Sequence, residues 1–305
     1  MTTNPMRPSG GPSWQPDADS GISVGFVEAG ELTFEVAQMG EGDHLALCLH
    51  GFPELHFSWR HQMPLLAEMG YRVWAPNLRG YGGTSRPGKV RDYTLDKLTG
   101  DVDALIEASG AKKVTILAHD WGAIIAWAFA ITRKTAIERL VIMNVPHPRC
   151  LERELKHSHQ RKKSWYVFAF QLPILPQMFL GRAEGRVVGR LIADTSCNQE
   201  RFGPEVRAVY SAAANRPGAG TAMVNYYRAI VRHRDTLPLG DSRVEVPTLM
   251  IWGEEDVALH ISTTEGTEDW VSDLTLKRLP GVSHWVQQDA PEQVNSELQK
   301  WLPRA

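Results

Sequence analysis

Short apolar runs alternate with amphipathic stretches along most of the chain, and this alternation predicts the fold. Six segments have the character of β-strands, at residues 32–36, 45–49, 72–75, 114–117, 140–143 and 248–251. The later ones are mostly continuous apolar runs, which are typical of parallel strands covered on both faces. Helical patterns lie between them, for example at 94–108 and 123–133. The sequence therefore predicts an α/β fold with a mostly parallel, doubly wound sheet.

The alternation is interrupted once, after Pro146-His147-Pro148. From residue 148 to about residue 235 the pattern is helical, and a strand pattern resumes only after Pro247. We therefore expect residues 21–147 and 236–305 to form one α/β core, with residues 148–235 inserted as a helical cap, or lid. The basic residues at the start of this insertion are most simply a solvated helix face. Residues 1–20 are rich in Pro, Gly, Ser and Asp and are predicted to be a mobile tail.

Composition narrows the class of protein. The chain has 305 residues and a formal net charge of -2, which gives no reason to expect nucleic acid or an anionic membrane as a partner. No apolar run reaches the length of a membrane span, so membrane insertion is not expected. Three cysteines, Cys48, Cys150 and Cys197, lack the spacing of a metal site and favour a reducing compartment. We expect a soluble, cytoplasmic protein, either a monomer or a homodimer.

The most informative segment is Ala118-His119-Asp120-Trp121-Gly122. It joins a predicted buried strand to a predicted helix through small residues, which is the setting of a nucleophile elbow. The elbow commonly carries Ser, and here it carries Asp120. A carboxylate needs no base to deprotonate it, attacks carbon directly and leaves an ester on the enzyme. The alternative reading of Asp120 is a helix N-cap, but the small neighbours Ala118 and Gly122 favour the elbow.

The candidate base is His284, which follows a strand-like segment and precedes a helical pattern at 291–301. A late His suits the chain order nucleophile, acid, base. The chain has 11 His, so a surface histidine is the competing interpretation. Asp256 follows the strand that ends at Ile251 and is expected to orient the imidazole.

Other residues compete with Asp256 as the orienting acid. Glu254 and Glu255 lie in the same loop. A further position for the acid, directly after the strand at 140–143, is occupied by Asn144, which cannot stabilise an imidazolium by charge. Asp256 is therefore the first choice.

An oxyanion hole is predicted at His50-Gly51-Phe52-Pro53, after the strand at 45–49. Gly51 allows the backbone to bend, and a cis bond before Pro53 is expected in such a tight turn. The backbone N–H groups of Phe52 and Trp121 are expected to point at one oxygen. A purely structural turn is the alternative. The string Gly21-Ile22-Ser23-Val24-Gly25 matches G-x-S-x-G but lacks the strand–turn–helix setting, so Ser23 is not predicted to be a nucleophile.

With these residues in place, the chain resembles the α/β-hydrolase family and, within it, the epoxide hydrolases. The motifs that carry the resemblance are His50-Gly51-Phe52-Pro53-Glu54 with Ser58-Trp59-Arg60, Arg79-Gly80-Tyr81-Gly82, and His119-Asp120-Trp121-Gly122. The likeness extends over almost the whole chain after residue 25. It implies hydrolysis of a small hydrophobic epoxide by water to a vicinal diol, with no metal or organic cofactor.

The resemblance also implies roles for two tyrosines of the lid, whose hydroxyls hold the epoxide oxygen. Tyr166 lies in the first matching context, four residues before Phe170, and Tyr227 lies in the second. Tyr226 is adjacent, so the second assignment can shift by one residue. The pocket is expected to be apolar and aromatic. Its predicted lining residues, in addition to the oxyanion-hole pair Phe52 and Trp121, are His50, Pro53, Trp165, Phe168, Phe170 and Trp285.

Haloalkane and haloacetate dehalogenases share the Asp nucleophile and are the alternative function. The resemblance implies Asn in place of Phe52, or a second halide-binding Trp, for the former class, and Arg in place of Trp121 for the latter. This chain has neither Asn nor Arg there, but Trp59 keeps the first alternative open. A non-catalytic binding protein of the same fold is a third reading, although Asp120, Asp256 and His284 are all present.

Overall fold

A computed structural model describes residues 11–132, 135–234, 236 and 239–305. Eight strands form one sheet: β1 Ser23–Ala29, β2 Leu32–Met39, β3 His44–Leu49, β4 Arg72–Pro76, β5 Lys113–His119, β6 Arg139–Met143, β7 Thr248–Gly253 and β8 Leu274–Leu279. Their spatial order is β1-β2-β4-β3-β5-β6-β7-β8. Strand β2 is antiparallel to both of its neighbours, and all the remaining pairs are parallel. The predicted α/β fold with a mostly parallel sheet is confirmed.

Both faces of the sheet are buried, as the continuous apolar runs predict. In β3, Leu45, Leu47 and Leu49 belong to one hydrophobic cluster, whereas Ala46 and Cys48 belong to the cluster on the other face. Because parallel strands end at the same edge, the loops after β3, β5, β6 and β7 meet there. Strand β1 was not predicted. It is an edge strand whose residues are mostly exposed or half-buried, so its sequence lacks an apolar run.

The described residues contain twelve α-helices, which fall into two groups. Five belong to the α/β core: α1 Met63–Glu68, α2 Leu95–Ser109, α3 Trp121–Thr132, α11 Val286–Asp289 and α12 Pro291–Trp301. Seven lie between β6 and β7: α4 Pro148–Glu154, α5 Ser158–Lys163, α6 Trp165–Ala169, α7 Leu175–Gly181, α8 Arg186–Asp194, α9 Pro204–Ala214 and α10 Ala219–Arg232. We call residues 148–232 the helical insertion. Within the described ranges, none of these helices is long and apolar enough to cross a membrane.

The helical insertion corresponds to most of the predicted cap at 148–235. No strand occurs between β6 and β7 in the part of the chain that the structure describes. The predicted cap end, Asp235, and the predicted last residue of one core helix, Arg133, lie outside the described residues. The boundaries at 147 and 236 stay predictions.

The predicted N-terminal tail is only partly described, because residues 1–10 lie outside the described ranges. Within residues 11–20, Ser13 and Trp14 contact the core. The Trp14 ring packs edge-on against Phe57, with 5.0 Å between ring centroids, and the Ser13 hydroxyl donates to a Glu35 carboxylate oxygen at 2.8 Å. A composition argument cannot reveal these contacts of Ser13 and Trp14, and the mobile tail over residues 1–20 stays a prediction.

Candidate active site

Asp120 stands at a sharp turn between β5 and α3, with φ of 47°. This left-handed conformation is costly for a residue with a side chain and persists only where the surroundings enforce it. Two glycines make the turn possible. A Cβ on Gly122 would lie 2.3 Å from the Leu49 carbonyl oxygen, and a Cβ on Gly51 would lie 2.3 Å from Cβ of Asp120. The geometry is that of a nucleophile elbow.

The predicted triad residues come together at the carboxyl edge of the sheet. His284 Nδ1 lies 2.7 Å from Oδ2 of Asp256, and its Nε2 lies 3.4 Å from Oδ2 of Asp120. The imidazole therefore bridges two carboxylates, and all three residues are buried. Glu255, one of the alternative acids, is exposed, and Glu254 is half-buried; it is Asp256 that contacts the imidazole.

Each of the three residues has a pKa shifted toward its charged form by its neighbours. Burial by itself would raise the pKa of Asp120 and of Asp256, but the charge and hydrogen bonds of His284 outweigh it and hold both below their usual range. Burial would likewise lower the pKa of His284, yet the Asp256 carboxylate and the bond to Asp120 raise it to about 10. The two carboxylates thus favour a protonated His284 between them.

Asp256 is fixed on every side. Its Oδ1 accepts from the backbone N–H groups of Ala258 and Leu259, at 2.7 and 2.9 Å. Its Oδ2 also accepts from the Asn144 side-chain amide at 2.8 Å. The oxygen of the same amide accepts from Gly253 N–H at 2.8 Å, so Asn144 ties the end of β6 to the end of β7.

From the sequence, Asn144 is predicted only to occupy an alternative position for the orienting acid, without a role of its own. The structure shows that this residue, with φ of 49°, instead supports the acid. One signal for this role was available in the sequence. Asn144 directly follows the buried strand β6, which is the neighbour of β7, and β7 leads to Asp256.

The Phe52 N–H donates to Oδ1 of Asp120 at 2.6 Å, so one of the two N–H groups predicted to form the oxyanion hole contacts this carboxylate. The Phe52–Pro53 peptide bond is cis, as predicted. Trp121 is buried at the first turn of α3, and its ring packs edge-on against Tyr227 with centroids 5.0 Å apart.

The structure does not place His50 in the wall of the substrate pocket. This residue was expected in the substrate pocket, but its Nδ1 lies 2.9 Å from the Gly51 carbonyl oxygen and its Nε2 accepts from Leu78 N–H at 3.0 Å. Burial lowers its pKa to about 4, so the ring is neutral and joins two loops. A motif position cannot show which way a side chain points.

His119 and Glu54 hold the loop of His284 in place. His119 Nδ1 lies 2.7 Å from a Glu54 oxygen, and its Nε2 lies 2.8 Å from the His284 carbonyl oxygen. Both residues belong to the motifs that carry the family resemblance, but the sequence alone predicts no role for either. Their positions link the elbow to the base through buried polar contacts.

Two tyrosines of the helical insertion face the same site. The rings of Tyr166 and Tyr227 meet edge-on with centroids 5.8 Å apart, and Tyr227 also packs against Phe52 at 5.2 Å. Burial raises the pKa of each phenol, and the nearby negative charge of Asp120 raises it further, so both remain proton donors. Tyr226 points elsewhere, since its hydroxyl donates to the Arg79 carbonyl at 2.8 Å.

A cavity of about 580 Å³ opens over Asp120 and His284. Its walls include both tyrosines and the predicted residues Phe52, Pro53, Trp165, Phe170 and Trp285, together with residues that sequence reasoning missed: Lys163, Leu172, Leu175, Phe179, Thr195 and Val257. A volume of this size and an apolar wall suit a small hydrophobic ligand.

Phe168 and Trp59 are not part of this wall. Phe168 was expected in the pocket, but it is 70% exposed, because α6 directs it outward while Tyr166 and Phe170 face inward. Trp59, which kept a halide site open, is fully buried away from the cavity. Across the described residues, no group of three or more His, Cys, Asp and Glu is arranged to hold a metal ion.

Comparison with known proteins agrees with this geometry. A family model for the α/β hydrolase fold matches residues 47–291. The chain is 35% identical to human epoxide hydrolase 4 and 33% identical to Xenopus tropicalis epoxide hydrolase 3, in each case over 93% of this chain and 76% of the relative. The chain belongs to the epoxide hydrolase family of α/β hydrolases. The resemblance stated from its motifs is therefore confirmed.

The structure of this epoxide hydrolase is similar to solved members of the family. The crystal structure of the Bacillus megaterium epoxide hydrolase in complex with an inhibitor superposes with a TM-score of 0.84 and 28% identity. That match covers 90% of this chain and 99% of the other. Fold, enzyme class and family thus agree, and the roles of individual residues rest on the geometry above.

Proposed function

We propose that this epoxide hydrolase converts a hydrophobic epoxide to a vicinal diol in two steps, through an ester on Asp120. The observation that carries the proposal is one cavity that holds a strained carboxylate nucleophile, a bridging His284 and two protonated phenols. A carboxylate that opens an epoxide ring is helped by an acid that protonates the leaving oxygen. The phenols lie on the side of the cavity that belongs to the helical insertion.

In the first step, Tyr166 and Tyr227 hydrogen-bond the epoxide oxygen, and Oδ2 of Asp120 attacks one ring carbon. The carbon–oxygen bond opens, a phenol proton passes to the alkoxide, and ring strain drives the step. The raised pKa of both tyrosines keeps them protonated until the alkoxide forms. Oδ1 stays on the Phe52 N–H and becomes the carbonyl oxygen of the ester.

In the second step, His284 removes a proton from water, and the water attacks the ester carbonyl of Asp120. The Phe52 and Trp121 N–H groups stabilise the resulting oxyanion. The tetrahedral intermediate then collapses, the ester carbon–oxygen bond breaks, and the proton of the new carboxyl group passes to the departing alkoxide. The diol leaves, and Asp120 returns to its carboxylate form.

Formation of the ester removes the negative charge of Asp120, and with it one of the causes that raise the His284 pKa. Alkylation therefore allows the imidazolium proton to pass to the phenolate that the first step left, and neutral His284 is then available as the base.

We propose that the helical insertion acts as the cap that supplies the phenols and most of the apolar wall. The partners are then a small hydrophobic epoxide and water. The three cysteines are free, which supports the expected reducing, cytoplasmic location.

Replacing the base tests the two-step scheme. His284→Gln keeps the nucleophile and both phenols but cannot activate water. It is expected to form the ester in a single burst and then to turn over about a thousandfold more slowly than wild type. Rapid-quench mass spectrometry with styrene oxide should find the adduct on the peptide that contains Asp120.

The matched control is the double variant Asp120→Asn/His284→Gln, which should give no adduct. If His284→Gln forms no adduct with an epoxide that the wild type hydrolyses, the covalent scheme is wrong. Halide release from a haloalkane and haloacetate panel, in place of diol formation, would favour the dehalogenase alternative. Trp59, on which that alternative depended, is not in the cavity wall.

A further inference from the structure

The large exposed apolar side chains of this protein are concentrated in one segment. Eight of the ten in the described residues lie between 155 and 179: Leu155, Trp165, Phe168, Leu172, Ile174, Leu175, Met178 and Phe179, with exposed fractions from 40 to 70%. Scattered apolar residues are normal on a surface, but a contiguous group marks an interaction site. Most of the group lies on α6, on α7 and on the turn between them.

A slightly longer stretch that contains this segment has a large positive net charge. Residues 155–190 hold seven Lys and Arg and one acidic residue, a local net charge of +6 in a chain whose total is -2. Lys156, Arg161 and Lys162 are exposed beside the apolar group, and Arg182, Arg186 and Arg190 follow it. The near-neutral total therefore conceals a cationic segment balanced by acidic residues elsewhere.

The apolar group surrounds the entrance of the active-site cavity. Trp165, Leu172, Leu175 and Phe179 are at least half exposed and also line the cavity wall, as does Val257 from the core. Whatever covers this surface thus lies directly over the path of the substrate.

The backbone holds one of these side chains outward at a cost. Ile174 has φ of 65° and ψ of -50°, and Leu175 N–H donates to the Pro173 carbonyl at 2.6 Å. This is a tight γ-turn, which is strained for a β-branched residue and easier for glycine. The sequence nevertheless places an isoleucine there, 61% exposed.

We propose that this surface docks the enzyme on an anionic phospholipid bilayer, with the cavity entrance against the lipid. Aromatic and aliphatic side chains enter the headgroup region, while the flanking Lys and Arg contact lipid phosphates. The positive charge selects an anionic surface over a neutral one. A hydrophobic epoxide dissolved in the bilayer then reaches Asp120 without crossing water; this delivery rests on the proposed function, whereas the docking does not.

Co-flotation with lipid vesicles tests the docking directly. Wild type is expected to bind vesicles of phosphatidylcholine with phosphatidylglycerol and to bind phosphatidylcholine vesicles at least about tenfold more weakly. High salt should reduce the difference, since it screens exposed charges. Asp120→Asn should bind like wild type, so a failure of the proposed chemistry is separated from a failure of docking.

Two variants and one matched control locate the surface. Arg161→Glu/Lys162→Glu should weaken binding to the anionic vesicles about tenfold or more. Phe168→Ser/Met178→Ser, at two exposed positions outside the cavity wall, should weaken binding to a similar extent. The control Arg91→Glu/Lys113→Glu makes the same charge change at exposed positions of the core and should leave binding unchanged.

Three results would overturn the proposal. Equal binding of wild type to both kinds of vesicle would remove the role of charge. An equal loss in Arg91→Glu/Lys113→Glu would show that only total charge matters. Absence of vesicle binding, with a self-association that Phe168→Ser/Met178→Ser abolishes in sedimentation velocity, would assign the surface to a second copy of the chain.

Discussion

The two sides of the active site are held by different forces. On the core side, Asp120, His284 and Asp256 are fixed by short polar contacts that use nearly every carboxylate and imidazole atom. On the side of the helical insertion, Tyr166 and Tyr227 are held by edge-on ring packing. Polar contacts define an atom's position more narrowly than ring packing does. The positions of Asp120, His284 and Asp256 are therefore defined more narrowly than those of the two phenols.

The two sides are nevertheless joined at the loops that carry the catalytic groups. Lys163 Nζ donates to the Asp256 carbonyl oxygen at 2.6 Å, and Trp285 Nε1 donates to the Thr195 hydroxyl at 2.9 Å. Tyr210 contributes a third contact, its hydroxyl donating to Gln288 at 2.7 Å. These bonds reach Asp256 itself, the residue after His284, and Gln288 four positions beyond His284, so the position of the insertion is coupled to that of the core.

The largest expected effect on the reaction comes from removing both phenols. Tyr166→Phe/Tyr227→Phe preserves the ring packing but leaves no acid for the leaving oxygen. The alkylation rate with styrene oxide is expected to fall by about 10³-fold, whereas hydrolysis of an ester already formed should change little. Rapid-quench measurement of both steps separates them.

The neighbouring tyrosine gives the control for that variant. Tyr226→Phe loses only the bond to the Arg79 carbonyl and is expected to cost about 1 kcal/mol of unfolding free energy with alkylation close to wild type. If Tyr226→Phe abolishes alkylation and the double variant does not, the assignment of the second phenol is shifted by one residue.

A pH series tests the core side, because alkylation needs ionised Asp120 whereas ester hydrolysis needs neutral His284. Alkylation uses ionised Asp120, whose pKa is lowered, so its rate should be constant from neutral pH to about pH 9. Ester hydrolysis needs neutral imidazole and should rise by up to tenfold per pH unit below the His284 pKa of the intermediate. That pKa lies below the value of about 10 that holds while Asp120 is charged. Single-turnover kinetics that show one shared profile for both steps would contradict this charge switch.

The smallest expected effect concerns Asn144, a positioning residue for Asp256. Asn144→Gly keeps the left-handed backbone but removes the amide, and ester hydrolysis is expected to slow about tenfold while alkylation slows less. The pH profile of hydrolysis should also shift, a change that a loss of packing alone would not produce.

Asn144→Ala is the matched variant for backbone strain. It should show the same kinetic change together with a free energy of unfolding about 1 kcal/mol lower than that of Asn144→Gly. Wild-type hydrolysis in the glycine variant would show that Asp256 does not depend on the amide.

Most of the core could be predicted because its signals are local. Continuous apolar runs predict β3 to β7, and an Asp between a buried strand and a helix, beside Gly122, predicts the elbow. Strand β1 was missed because an edge strand needs no apolar run. His50 and Phe168 were placed in the pocket wrongly, because a motif and a helical period do not give the direction of a side chain.

The local charge and the exposed apolar surface of one segment were the hardest properties to predict from the sequence. A net charge of -2 indicated no anionic partner, yet residues 155–190 carry +6 and most of the exposed apolar side chains. Exposure is decided by what packs on each helix, and composition does not contain that information.

The position of the proposed nucleophile could be read from the sequence, since Asp120 lies in a strand–turn–helix setting. The sequence also determined the fold class, because buried parallel strands require apolar runs. The distances that bring His284, Asp256 and the two phenols to the Asp120 carboxylate, and the contact of Asn144 with Asp256, emerge only in the folded chain. Those contacts join residues from distant parts of the chain, and their distances follow from the packing of the helical insertion on the sheet.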